Sequence, residues 1–303
     1  MASLKDMKKV PGQKSGYYSH DEVAEVIKNQ QKINQNNIVT GLYGEDGTCK
    51  SGISLEIRSQ DDIDCGRKLY IIDFDKGVLP LINEYYSEKV NDEFILNENG
   101  KRIHDPNIIL INPTIRIKDG ENRGGVDWKS TIEMTMSSLM YIDELDPNET
   151  AGCILDGLDT WLKNCEYNME ENELGQTNLK TKVSQKDWYI RDKPYNQALM
   201  LTKSLPCPTI FITHMKDKYD GYENGQLNKI GSEPHWGKLT PGQMFQRILC
   251  TVDNRTILGT TTFYAEVQKA KGRLYLEGKK YKIAEVKNEN EYKWNGFDWG
   301  VFR

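Results

Sequence analysis

The chain is predicted to fold as an α/β protein whose mostly parallel sheet is flanked by helices and extended by antiparallel C-terminal strands. Three observations carry that prediction. Short, continuous apolar runs such as 69–74 and 152–156 alternate with amphipathic stretches, the pattern of parallel strands covered on both faces. Residues Ile38 to Ser51, I-V-T-G-L-Y-G-E-D-G-T-C-K-S, read as a strand, a glycine-rich turn and the opening of a helix. From about residue 248 the apolar positions alternate with polar ones, the period of antiparallel strands.

Taken in order, residues 1–36 are polar and rich in Lys, Gln and Asn, and form an N-terminal arm in which Ser19 caps a short helix through Val23, Val26 and Ile27. Residues 37–303 form one large domain with a C-terminal β extension. Its predicted elements are a strand at 38–43, a helix at about 50–58, a strand at 69–74 and a helix at about 79–87. A strand at 108–112, a helix at about 128–142 and a strand at 152–156 follow. A helix at about 191–204 leads to the strand T-I-F-I-T at 209–213. Alternating segments near 248–252, 260–268 and 280–286 are joined by hairpin turns at Asp253-Asn254 and Glu277-Gly278. Two segments carry no element. Residues 164–188 hold an acidic cluster (Glu166, Glu170, Glu171, Glu173) followed by Lys180, Lys182 and Lys186. Residues 215–239 hold Lys216, Lys218, Tyr219, Tyr222, Lys229, His235, Trp236 and Lys238. Stretches of that length without an element are expected to be functional loops or disordered.

Composition narrows the function classes. A net charge of −5 over 303 residues and a pI near 5.6 exclude a globally basic nucleic-acid coat, so any such contact must come from local patches. The six cysteines (49, 65, 153, 165, 207, 250) are scattered with no C-x-x-C pair, which points to reduced thiols and a cytoplasmic setting. No stretch approaches the apolar length of a membrane span and no apolar leader follows Met1, so neither a membrane partner nor secretion is expected.

The segment Gly44–Ser51 has the chemistry of a phosphate-binding loop. Such a loop needs backbone N–H groups turned inward around an anion and residues free to take positive φ, here Gly44 and Gly47. Gly44, Glu45, Asp46, Gly47, Thr48 and Cys49 would form the cradle, Lys50 would reach the β- and γ-phosphates, and Ser51 would sit on Mg²⁺. The pattern G-x-x-x-x-G-K-[ST] is met except at Cys49, which replaces glycine and fits there if its backbone is αR-like. A loop of this kind needs acidic partners at neighbouring strand ends, one for the metal shell and one to orient the attacking water. Asp156 ends the run in A-G-C-I-L-D-G-L-D-T-W, and Asp73 and Asp75 end the run in L-Y-I-I-D-F-D-K-G-V-L-P. Asp159 reads as a surface or capping residue.

The order of these parts over residues 37–270 resembles the RecA-like P-loop ATPases, in particular the phage-type nucleotide-binding ATPases that include RecA-like single-strand annealing proteins. The resemblance implies a RecA-like P-loop NTPase core that binds and hydrolyses ATP with Mg²⁺. It gives Asp75 the role of orienting water, Asp156 that of ordering the metal, and His214, after I-F-I-T, that of sensing the γ-phosphate. It implies a homo-oligomeric ring or filament in which Lys269, Lys271 or Arg273 would complete a neighbour's pocket. It also implies contact with single-stranded DNA in recombination, annealing or replication, in a host cytoplasm if the protein is of phage or viral origin. Lys216, Lys218, Tyr219, Tyr222 and Trp236 have the composition for that contact, cations for phosphates and rings for bases. The alternatives are a nucleotide-binding switch or assembly adaptor with little turnover, and a P-loop motor acting on duplex DNA or protein. Aspartate rather than the more usual glutamate at position 75 and cysteine at position 49 are the two departures from the pattern.

Overall fold

The computed structural model describes Ser19, Asp21 and residues 23–25, 38–91, 93–120, 124–175, 183–223, 226–255, 259–287 and 291–302, with the side chains of 222, 223, 226, 227, 254 and 255 outside the description. The chain divides into two compact units, Met1–Gln35 and Asn36–Arg303. In the first, Asp21 and Val23–Glu25 are helical, and the Val23 N–H donates to the Ser19 carbonyl at 3.0 Å. Val26 and Ile27, the other positions of the predicted helix, lie outside the described residues.

The second unit starts with β1 (Val39–Gly44), which enters α1 (Lys50–Leu55) through the glycine-rich turn. Helix α2 (Gln60–Asp64) follows, capped reciprocally by Ser59 and Asp62 in a capping box. Next come β2 (Lys68–Asp73), α3 (Val78–Tyr85), the two-residue strands β3 (Lys89–Val90) and β4 (Glu93–Phe94), and β5 (Ile108–Ile111). Helix α4 (Trp128–Asp143) begins where the Asp127 carboxylate accepts the Ser130 N–H, and leads to β6 (Thr150–Asp156). Helix α5 (Leu158–Asn168) runs into a π-helical turn at Met169–Glu173, and α6 (Trp188–Leu201) returns to β7 (Thr209–Glu223). Strand β8 (Gln226–Pro234), the short α7 (Thr240–Gln243), β9 (Gln246–Arg255), β10 (Thr260–Ala270), β11 (Lys280–Lys287) and β12 (Glu291–Trp294) complete the order.

One ten-stranded sheet organises the domain, in the order β12-β11-β10-β9-β1-β7-β6-β2-β5, with β8 paired to β7 off this path. The pairs β9·β1, β1·β7, β7·β6, β6·β2 and β2·β5 are parallel, whereas β10, β11 and β12 add antiparallel at one edge. The continuous apolar runs divide by the two-residue period of the strand: Leu42, Leu69, Ile71 and Ile154 face one core with Ile53 of α1 and Val78 and Ile82 of α3. Tyr70, Ile72, Cys153, Leu155 and Phe211 face the other, with Leu139 of α4, Trp161 of α5 and Leu199 of α6. This helix-flanked, mostly parallel sheet with antiparallel C-terminal strands is the sheet arrangement the sequence predicts.

Three expectations are corrected. The segment 215–239, read as a loop, is mostly a hairpin: β7 leaves the central sheet after His214 and pairs with β8 from Met215↔Pro234 onward. Part of 164–188, left without an element, is the end of α5, the π-helical turn and the start of α6, while Lys180 and Lys182 lie outside the described residues. Asp253-Asn254, placed in a turn, lies instead within β9, which remains paired with β10 as far as Arg255↔Thr260. The turn at Glu277-Gly278 is present, with Gly278 at φ 78°.

Candidate phosphate-binding site

Because β1, β7, β6 and β2 are parallel, their C-terminal ends lie side by side at one edge of the sheet. Gly44 pairs with His214, and Asp156 pairs with both Ile212 and Asp73, so the loop, the histidine and two carboxylates are brought together by register alone. Within the loop, Gly47 holds φ 70°, a conformation open to glycine. Gly44 is needed for a different reason than the one expected. It is the last residue of β1 rather than a positive-φ position, and a Cβ there would lie 2.3 Å from the Cys250 carbonyl oxygen and 2.8 Å from Thr48 Oγ1. The expectation for Cys49 is also corrected: its backbone is left-handed, φ 64° and ψ 17°, not αR-like. Its thiol is pushed up to about 11 by burial, so it is protonated at neutral pH.

Lys50 is 5% exposed, and its Nζ donates to the carbonyls of Gly44 at 3.0 Å and Glu45 at 2.7 Å. Burial lowers its pKa, with Asp46, Asp156 and Asp159 among the groups acting in the opposite sense. The Thr48 hydroxyl donates to the Glu45 carbonyl at 2.7 Å and tightens the same turn. The Ser51 hydroxyl donates to Asp156 Oδ2 at 2.6 Å, across 105 residues of sequence.

Asp156 is 5% exposed, and its carboxyl is pushed up to about 6, first by burial and then by the charges of Asp73 and Asp75. Asp73 accepts the Val78 N–H at 3.2 Å through Oδ2, which ties β2 to α3. Its Oδ1 is buried without a partner among the described residues. Asp75 lies two residues beyond the end of β2 and accepts from the Thr160 hydroxyl of α5. Its pKa is raised, chiefly by desolvation and also by the charges of Asp159 and Asp73. Gly157, at φ 89°, makes room for it, since a Cβ there would lie 2.5 Å from the Asp75 carboxylate.

Asp159, read from the sequence as a surface or capping residue, is buried at 8% exposure. The signal that points to it is its place three residues after Asp156, on the first turn of α5, where it faces the strand end that carries His214. His214 Nδ1 lies 3.3 Å from Asp159 Oδ2, and Nε2 lies 3.1 Å from Asp46 Oδ1 of the loop. Burial acts to raise the Asp159 pKa, but the hydrogen bond and charge of His214 outweigh it and the net shift is downward; His214 is correspondingly raised, first by that hydrogen bond. Asp75, Asp159 and His214 present ligand atoms all within 4.8 Å of one another.

The donor set suits a divalent cation. A hydroxyl and a carboxylate are already in contact, three further aspartates lie nearby, and one buried oxygen has no partner, all hard oxygen chemistry of the type Mg²⁺ takes. A pocket of about 600 Å³ opens above these groups, lined by Gly47, Lys50, Ser51 and His214 and continuing between α3 and β12.

The remaining candidates lie elsewhere. Lys216 and Lys218 pair with Glu233 at 3.4 and 4.0 Å, and Asp217 accepts from Lys229 at 2.6 Å and from Tyr219 Oη at 3.1 Å, so acidic partners line the same hairpin. Tyr222 pairs with Leu227 on the hairpin, and its side chain lies outside the described residues. Trp236 is partly buried: its ring meets Tyr43 edge-on at 5.4 Å and packs on the core that holds Met244. Lys269, Lys271 and Arg273 sit where β10 ends beside the start of β9, at the sheet edge opposite the loop. There Lys269 donates to the Met244 carbonyl, Lys271 lies 5.2 Å from the Phe245 ring centroid, and Arg273 donates to the Val301 carbonyl.

No family profile and no curated protein matches the chain. Among solved structures it is similar to the KaiC-like protein PH0186 from the hyperthermophilic archaeon Pyrococcus horikoshii OT3. The identity is 12%, the TM-score 0.42, and the match covers 81% of this chain and 84% of that one. At that level the likeness carries no argument, and the description of the fold rests on the strand order and on the loop at the end of β1. No described helix is long and apolar enough to cross a membrane.

Proposed function

We propose that the protein binds ATP with Mg²⁺ and hydrolyses it. The observation that carries this reading is the Ser51–Asp156 hydrogen bond of 2.6 Å, which joins the residue after the loop lysine to the strand-end carboxylate expected to order the metal. Ser51 and Asp156 would hold Mg²⁺, which when bound neutralises charge on the phosphate oxygens. Lys50 exchanges its two carbonyl partners for phosphate oxygens. Asp75, held by the Thr160 hydroxyl, orients and accepts a proton from the attacking water, its raised pKa making it a better base than a free aspartate. His214, bridged between Asp46 and Asp159, is placed to respond when the loop fills.

The reading extends to a homo-oligomer acting on single-stranded DNA in recombination, annealing or replication. Its support is the resemblance, together with two placements. Lys269 at the end of β10 and Lys271 just beyond it lie at the sheet edge opposite the loop, where a neighbour's pocket would be reached. The β7–β8 hairpin continues directly from the strand that carries His214. A phage or viral setting rests on the resemblance alone.

The test is steady-state hydrolysis of ATP with Mg²⁺, with and without single-stranded DNA, alongside direct titration of nucleotide. Lys50→Ala is expected to lower turnover by about a hundredfold or more and to weaken ATP binding, in line with the loss of one preorganised charge on the transferred group. Unchanged affinity in the variant would sink the assignment of the loop. A second reading is favoured by the left-handed backbone of Cys49, namely a nucleotide-binding switch or assembly adaptor, and tight binding with no turnover would select it.

A further inference from the structure

The pocket continues beyond the phosphate loop into a cleft with aromatic walls. Helix α3 supplies Leu81 and Tyr85, and its C-cap Tyr86, from one side, and β12 supplies Tyr292 and Trp294 from the other. The β12 wall is fixed to α1 by a specific device. Gly52 has no side chain, and a Cβ there would lie 3.0 Å from Trp294 Cη2, so the indole edge rests directly on the helix backbone. One turn later, Glu56 accepts the Trp294 Nε1–H at 2.5 Å and the Phe297 N–H at 2.6 Å. Gly296, at φ 72°, leaves space for that carboxylate, since its Cβ would lie 2.6 Å from Glu56 Oε1. Tyr292 lies over Trp294 with ring centroids 6.3 Å apart and planes 29° from parallel.

Tyr86 and Trp294 pack in part on the core, but core packing does not account for Tyr85 and Tyr292. Tyr292 is 50% exposed and Tyr85 is 63% exposed, so both present ring surface to solvent. A cavity of this volume, apolar at one end and ringed by phosphate-binding groups at the other, has the shape of a nucleotide rather than of a free anion. We propose that the cleft between α3 and β12 receives the purine base of the nucleoside triphosphate, with Tyr292 and Trp294 as its stacking wall. A purine is selected over a pyrimidine because the bicyclic ring covers more of the aromatic surface. The proposal rests on the reading of Gly44–Ser51 as the phosphate loop.

Calorimetric titration of the full chain with Mg²⁺ and, separately, ATP, CTP and inorganic tripolyphosphate tests it. The wild type is expected to prefer ATP over CTP by about 3- to 10-fold, the part of a base–aromatic stack that the larger ring adds, since cytosine also stacks. Tyr292→Ala and Trp294→Ala are expected to weaken ATP binding by a similar factor, to narrow the ATP–CTP difference and to leave tripolyphosphate affinity unchanged. Should Trp294→Ala lose its thermal transition, the half-exposed Tyr292 decides the matter. Equal losses for ATP and tripolyphosphate in a variant that melts like the wild type would overturn the proposal, as would no loss at all. Wild-type binding of tripolyphosphate without ATP–CTP discrimination overturns the base cleft alone, whereas binding of neither removes the phosphate loop with it.

Discussion

Cys49 holds φ 64°, a conformation in which an L-residue's Cβ crowds the following carbonyl at a cost of about 1–2 kcal/mol. Its thiol is partly buried against the core below α1, so the side chain contributes packing while the backbone is strained. Glycine at this position removes the strain, but it also raises the entropy lost on folding by about 0.5–1 kcal/mol. Cys49→Gly is therefore expected to change stability by less than about 1 kcal/mol. Freed of the Cβ, the loop can turn its N–H groups toward an anion more easily, so ATP affinity should rise severalfold. Titration calorimetry and thermal melts measured together check both parts, and weaker nucleotide binding would show that the cysteine is an adaptation of the loop.

The corner between β6 and α5 shows how one element end places several groups. Asp156 closes the strand, Gly157 turns the chain at φ 89°, and the first turn of α5 delivers Asp159 to His214 and Thr160 to Asp75. Alanine at 157 would need a left-handed backbone and would drive its Cβ into the Asp75 carboxylate. Gly157→Ala should cost about 2 kcal/mol or more in urea unfolding and displace Asp75, so that turnover falls more than ATP affinity does. Equal stability and turnover in the variant would contradict the packing described. The elements legible in the sequence were those with buried apolar faces, such as β1, β2 and β6. The β7–β8 hairpin was not, because both its faces are solvated and its Lys and Asp residues alternate without an apolar side.

At the scale of the whole molecule, the parallel sheet gathers carboxylates at one edge, and that gathering has a stability cost. Asp156 titrates at about 6 in the folded chain against 3.8 ordinarily, so the folded state binds more protons between those values. Stability from this group is fully present below about pH 4 and is lost as pH rises through about 6, a change of about 3 kcal/mol by linkage. Urea unfolding in chelator at pH 4, 5, 6 and 7 should therefore show Asp156→Asn gaining on the wild type across that window, and parallel pH profiles would refute it. The loop and its strand-end carboxylates were readable because each is contiguous in sequence. Asp159 and the aromatic wall were not, because their roles arise only when α5 meets β7 and when β12 meets α1.

The Trp294–Glu56 hydrogen bond spans 238 residues. Contacts of such long range form late, since the entropy of closing the intervening chain must be overcome before they contribute. The turn Gly44–Ser51 is local in sequence, but the aromatic cleft beside it needs β12, the outermost strand of that side of the sheet, in place. If the cleft holds the base as proposed, its occupancy would report on the completed sheet, and fraying of β12 would release ligand while the loop itself stayed folded.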